Sequence, residues 1–165
     1  MSFISALENI HLKGKFGDYE NKNENDLLKI FETKDLLIIQ IVQFKNSTVS
    51  SDNIIINGLK LKDEALTVVS NDDTRILWNG PKNWLLVSTK KNIFQDIYEA
   101  FKETDFAETD LSHARAIIEL EGQDVKEVLK KGCPFNFNTL EKNNSINSTF
   151  NGITFTLDML DNKPD

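Results

Sequence analysis

Residues 108–137, ETDLSHARAIIELEGQDVKEVLKKGCPFNF, hold three side chains that could do chemistry. His113 is one of two histidines, Arg115 one of two arginines, and Cys133 the sole cysteine. An imidazole titrates near neutral pH, a guanidinium grips carboxylate or phosphate through paired hydrogen bonds, and a thiolate is a strong nucleophile. An active site also needs a base within reach of the nucleophile and an oxyanion cradle, and this stretch spells no complete set. His113 has no second histidine and no carboxylate at ligand spacing on one helix face. With Asp110 three residues upstream, it reads as a turn histidine bonded to backbone or to Asp110. Arg115 reads as half of an ion pair with Glu119, two positions along the same strand face, or with a neighbouring strand, set against a bidentate anion grip. Cys133 follows the expected end of a helix, where the dipole opposes thiolate formation, and reads as a small buried residue.

A second group lies upstream. Trp78 and Trp84 bracket WNGPKNW, with Gly80 and Pro81 between them. Tryptophans around a Gly-Pro turn can pack on each other or on the sheet, or serve as interface anchors. Cys-x-x-Cys, His-Glu-x-x-His, Gly-x-Gly-x-x-Gly and Walker patterns are all missing. The residues alone therefore assign no catalytic, cofactor-binding or metal-ligating position.

The elements that must position these groups are legible in part. Polar residues 9–26 read as an irregular or mobile arm. DLLKIF and LLIIQIVQF, around ETKD, suggest a hairpin, although DLLKIF also fits a helical turn. Periodicity leaves 45–65 undecided. ALTVVS, TRILW and WLLVS read as three consecutive antiparallel strands. Asn92 with Gln95 suggests a capping box for the helix IFQDIYEAFKE, whose Ile93, Ile97, Ala100 and Phe101 share one face. HARAIIELEG reads as a strand over 113–122. The helix DVKEVLKK follows from Asp124, with Gly132 as a left-handed residue at its end and Pro134 blocking continuation. Asn151-Gly152 predicts a type I′ hairpin joining STF to ITFTLDML. Strands, helix, strand, helix, strands indicates α+β with a mainly antiparallel sheet and two main helices.

Length and composition set the outer bounds. The 165 residues suit a single domain spanning 1–165, and 39% hydrophobic content supports a core. A net charge of −7 with lysine-dominated cations argues against a nucleic-acid partner. The longest apolar run, 36–44, is far too short for a membrane span. The N-terminus lacks a secretory pattern and a lone cysteine forms no internal disulfide, so a cytoplasmic setting is expected.

Taken together, ILWNGPKNWLLVS (76–88) and DLSHARAIIELEGQDVKEVLKKGCPFNF (110–137) resemble two blocks of the gamma subunit family of heterotetrameric sarcosine oxidase. That family is similar in fold to the folate-binding domain of the glycine-cleavage aminomethyltransferase. The resemblance implies a subunit with no chemistry of its own, in a complex that oxidatively demethylates sarcosine to glycine with tetrahydrofolate as one-carbon acceptor. It implies alpha, beta and delta partner subunits, with FAD, FMN, NAD and tetrahydrofolate held by those partners. Trp78, Gly80, Pro81, Trp84, Asp110, His113, Arg115, Gly132 and Cys133 become family-motif or interface candidates. The Trp78–Trp84 turn and the 110–115 segment are then expected side by side at the edge of one sheet.

Two departures stand out. Phe135-Asn136-Phe137 replaces the family's Asp-Leu after Cys-Pro, and the chain ends at DNKPD, as a C-terminally shortened version of the fold would. A strand at 153–160 would then be an open edge, expected either to pair with a partner subunit or, in isolation, a second copy, or to be poorly ordered at its end. Lys130 to Cys133, KKGC, also echoes folate-binding proteins of iron–sulfur maintenance, but PFNF follows where those continue differently. An aminomethyltransferase fragment is disfavoured by length.

Overall fold

The computed structural model describes Ser5 and residues 7–162. In chain order the strands are β1 (Lys29–Thr33), β2 (Leu37–Gln43), β3 (Ile55–Ile56), β4 (Leu59–Lys60), β5 (Val68–Ser70), β6 (Thr74–Gly80), β7 (Asn83–Ser88), β8 (Phe106–Asp110), β9 (Ile117–Glu121), β10 (Ser145–Phe150) and β11 (Ile153–Asp158). The helices are α1 (Ile93–Ala100) and α2 (Val125–Lys130). The apolar run at 36–44 becomes β2, and its Leu37, Ile38, Ile39 and Ile41 are sealed on both faces. Such a run suits an interior strand. β2 lies between β7 and β8 in a five-stranded antiparallel sheet ordered β5-β6-β7-β2-β8.

One face of this sheet carries Ile76, Trp84, Leu86, Leu37, Ile39, Ile41 and Phe106. Ile93 and Ile97 of α1 cover it, with Ile54, Ile56 and Leu61 from the β3–β4 region. Asn57 and Gly58 turn the β3–β4 hairpin with φ of 49° and 80°, as a type I′ turn requires. A second cluster forms farther along the chain from Cys133, Phe137, Leu140 and Ile146. Leu129 of α2, Phe150, Phe155 and Leu157 pack around it.

Several sequence expectations need correction. β1 does not pair with β2. Both long sides of β2 are taken by β7 and β8, and β1 pairs antiparallel with β9, from Lys29 opposite Glu121 to Thr33 opposite Ile117. The expected helix over 93–103 stops at Ala100, and β8 follows as a strand the sequence reading did not assign. Phe101 turns extended, at φ −97° and ψ 137°, and stacks on Phe106 with ring centroids 4.6 Å apart. The expected strand at 113–122 begins only at Ile117. The Ala114 amide bonds the Leu111 carbonyl at 2.9 Å and makes the preceding residues a turn.

Neither helix is capped by a side chain. Asn92 is itself helical, at φ −74° and ψ −16°, whereas a capping side chain needs an extended backbone to reach forward. Asp124 likewise makes no capping bond. Gly132 is also not left-handed. Its reason is space: a Cβ there would lie 2.8 Å from ring carbons of Phe150.

That contact yields a prediction. Gly132→Ala should push the Phe150 ring out of the second cluster and destabilise the protein by about 1–3 kcal/mol. Denaturant unfolding measures this, and Phe150→Leu in the same chain should recover part of the loss. An alanine variant as stable as the parent would show that the ring moves aside freely.

Candidate functional site

The residues singled out by sequence fall in three separate places. The first is the β6–β7 turn. Trp78 and Trp84 stand directly opposite each other on adjacent strands, beside a register shift between Trp78 and Gly80 that marks a bulge. Trp84 is only 1% exposed, and its Nε1 donates to the Lys62 carbonyl at 2.8 Å. Trp78 Nε1 donates to Asp63 Oδ1 at 3.0 Å, and the same oxygen accepts from the Lys82 amide at 3.0 Å. Pro81 and Lys82 close the turn. The block thus clamps the 62–63 segment, satisfying both indole N–H groups as buried or half-buried tryptophans require. Asp63 was not visible as a partner in sequence, because nothing local links it to a turn nineteen residues later.

The second place is the exit of β8. Asp110 Oδ1 accepts from the Ser112 amide at 2.8 Å and from Ser112 Oγ at 2.6 Å. Ser112 Oγ in turn accepts from the Ile38 amide at 3.0 Å. Asp110 therefore orders this turn through Ser112. Burial pushes the Asp110 carboxyl upward, but the Ser112 bonds and the nearby His113 and Lys91 outweigh it and leave it below the usual aspartate range. His113 and Arg115 are exposed. Both line an open pocket with Glu32, Lys34 and Asp35.

Arg115 does not pair with Glu119. It lies in the turn before β9 rather than on the strand, and Glu119 accepts instead from Thr33 Oγ1. The bidentate carboxylate grip belongs to the other arginine: Arg75 Nε and Nη2 donate to Asp158 at 2.5 and 2.7 Å.

The third place is the second cluster. Cys133 is 4% exposed, with Sγ 3.1 Å from Ser148 Oγ, and Gly132 lies against Phe150. The three places do not converge. The β6–β7 turn and the 110–115 segment belong to one sheet, but at opposite ends. The Lys82 carbonyl meets the Gln43 amide at the end of β2, whereas Leu111 and Ser112 meet Ile38 at its start. The expectation that they adjoin at one edge is therefore corrected. Among the described residues, no cluster of three or more His, Cys, Asp or Glu has metal-binding geometry. No helix of the described residues is long and apolar enough to cross a membrane.

One group escaped the sequence reading because its strand did. Glu108 in β8 stands opposite Ile41, and its Oε1 is buried without a hydrogen-bond partner among the described residues. Burial raises its carboxyl above the usual glutamate range, its own backbone hydrogen bond opposes the rise, and Glu103 adds to it.

The geometry defines a class: an α+β chain of antiparallel strands with two short helices, whose motif residues lie in three separate places. The chain belongs to the sarcosine oxidase, gamma subunit family, which it matches over residues 50–153. Among solved structures it is similar to a chain of the heterotetrameric sarcosine oxidase from Corynebacterium sp. U-96, determined in complex with pyrrole 2-carboxylate. The TM-score is 0.76 at 20% identity, covering 86% of this chain and 74% of that one. A search of curated proteins returned no match.

Two outcomes follow from the site geometry. Cys133 should be alkylated slowly in the native protein and rapidly once unfolded, read by mass spectrometry. Fast native labelling would contradict its place in the second cluster. For Glu108, the folded pKa lies above the unfolded one, so the native state holds the proton to higher pH. Stability should then fall as pH rises from the ordinary glutamate range to the folded value. Glu108→Gln should match the parent in acid and exceed it in thermal stability at neutral pH. An equal difference at both pH values would show that the carboxyl is not perturbed.

Proposed function

We propose that this chain is a non-catalytic, structural gamma subunit of a heterotetrameric sarcosine oxidase, a complex that demethylates sarcosine to glycine with tetrahydrofolate taking the one-carbon unit. The family match over residues 50–153 carries this reading, and the shared fold adds to it. On this reading the partners are alpha, beta and delta chains in the cytoplasm, and FAD, FMN, NAD and tetrahydrofolate sit on those partners. The chain acts as one unit over 1–165, akin in fold to the folate-binding domain of the glycine-cleavage aminomethyltransferase. Its family-motif residues shape surfaces and turns. The rival reading, a folate-binding protein of iron–sulfur maintenance, would want an accessible cysteine in KKGC, and Cys133 lies buried beside Ser148.

A contact surface is available to such a subunit. β10 and β11 form a two-stranded sheet, so the outer side of β11 meets no further strand among the described residues. Ile153 at its start is 74% exposed. An open strand edge of this kind is suited to pairing with another chain.

Two measurements test the proposal. The purified chain should show no flavin absorbance and release no peroxide from sarcosine; stoichiometric flavin with turnover in the lone chain would overturn the non-catalytic role. Amides of 153–158 should exchange faster in the isolated chain than in the assembled complex. Equal, strong protection in a proven monomer would show that this edge is not where partners join.

A further inference from the structure

Three Asn-Gly pairs occur in the chain, at 57–58, 79–80 and 151–152, and the structure treats them unequally. Asn57 turns the β3–β4 hairpin with its side chain held. Its Nδ2 donates to Thr74 Oγ1 at 2.9 Å, and its Oδ1 accepts from Lys90 Nζ at 3.3 Å. Its carbonyl also accepts from Asn71 Nδ2 at 2.8 Å. Asn79 lies half-buried within β6, its carbonyl taken by Asn147 Nδ2 at 2.9 Å. Asn151 turns the β10–β11 hairpin with φ 48°, and Gly152 follows at 87°, the same turn geometry as at 57–58. Yet both Asn151 and Gly152 are exposed, and the Asn151 side chain makes no hydrogen bond among the described residues. Around Gly152, an added Cβ would meet nothing within 4 Å.

We propose that Asn151 is a site of spontaneous deamidation, and that Asn57 and Asn79 are protected from the same reaction by the fold. In the first step the Gly152 backbone nitrogen bonds to Asn151 Cγ and gives up its proton. The Cγ–Nδ2 bond breaks, and the amide nitrogen leaves as ammonia with that proton, closing a five-membered succinimide. Water then adds to one of the two ring carbonyls and opens the ring. One opening leaves aspartate; the other leaves isoaspartate, with the chain running through the former side chain. No oxidant or reductant takes part.

The location gives the reaction a structural consequence. The Asn151 amide donates to the Gly132 carbonyl at 2.9 Å, which ties the hairpin tip to the end of α2. Phe150, the preceding residue, packs against Gly132 in the second cluster. Isoaspartate lengthens the backbone inside a two-residue turn, where register is set by loop length. Pairing from Phe150 opposite Ile153 outward then no longer matches the ladder. The lesion therefore loosens β11 and the second cluster while leaving the five-stranded sheet intact.

The test uses the purified full-length chain, kept warm at mildly alkaline pH and sampled over time by peptide mapping with mass spectrometry and an isoaspartate assay. A denatured sample of the same chain serves as benchmark, with all three pairs unprotected. In the native sample, conversion at Asn151 should outpace Asn57 by about tenfold, since two side-chain hydrogen bonds must break first at Asn57 and each slows attack by roughly two- to tenfold. The aged native protein should also show faster amide exchange across 145–158 than fresh protein, with β2 and β7 unchanged. Conversion at Asn57 or Asn79 as fast as at Asn151 would overturn the proposal. So would an unmodified Asn151 in the native chain when the denatured sample has converted.

Discussion

The two apolar clusters of this protein meet along a polar seam centred on the Arg75–Asp158 pair. Arg75 stands on β6 of the main sheet, and Asp158 closes β11 of the terminal hairpin. Two donors of one guanidinium reach one carboxylate at 2.5 and 2.7 Å, and Nη2 also reaches Asn143 Oδ1 at 3.1 Å. Asn143, itself left-handed at φ 64°, donates its amide to the Met159 carbonyl at 2.9 Å and accepts from the Val68 amide at 2.9 Å. The Ser145 amide continues the seam to the Leu66 carbonyl at 2.8 Å. With side chains only 23% and 20% exposed, this pair is better shielded than a surface ion pair of little worth. Losing either member would leave the other charge half-buried and unmatched. The seam explains why one of two arginines sits here: lysine supplies no planar fork for bidentate geometry.

This arrangement bears on function through what it leaves outside. The tryptophans, Asp110, Gly132 and Cys133 hold turns, a strand exit and the second cluster, each satisfied within its own neighbourhood. His113 and Arg115 line an open pocket near Asp110, away from the tryptophans, Gly132 and Cys133. Most of the motif residues are thus engaged in the chain's own architecture. What remains available to other molecules is surface: the β11 edge and the exposed Ile30, Phe31 and Ile118 of the β1–β9 ladder. Such features fit a protein whose role is to be part of an assembly, in keeping with its family.

Much of the architecture was legible because it is local. The meander β5–β6–β7 announced itself through turn residues, and Asn151-Gly152 announced the terminal hairpin. The errors were non-local. Nothing within DLLKIF says that its strand will pair with residues some ninety positions later, once both sides of β2 are occupied. β8 was hidden because Phe101 ends α1 by packing on Phe106, a contact visible only in three dimensions. Gly132 was recognised as special for the wrong reason, since helix-end position suggests a left-handed backbone while the cause is a distant ring. The nine candidate residues were picked out by type and pattern, which reveal that a residue is constrained but not by what. Asp63 and Asp158 act through partners far along the chain, Glu108 owes its burial to the strands beside β8, and composition gave none of them distinction from the other acidic residues.

Whether this chain works as a subunit is read from the state of the protein in its own cells. An affinity tag on this chain, followed by native mass spectrometry and absorbance of the purified material, reads both partners and cofactor. A subunit should come out in a single larger assembly with other chains at fixed stoichiometry and with the visible spectrum of a flavoprotein. Recovery of the full-length chain alone, colourless and at its own mass, under conditions that preserve assemblies, would contradict the subunit role.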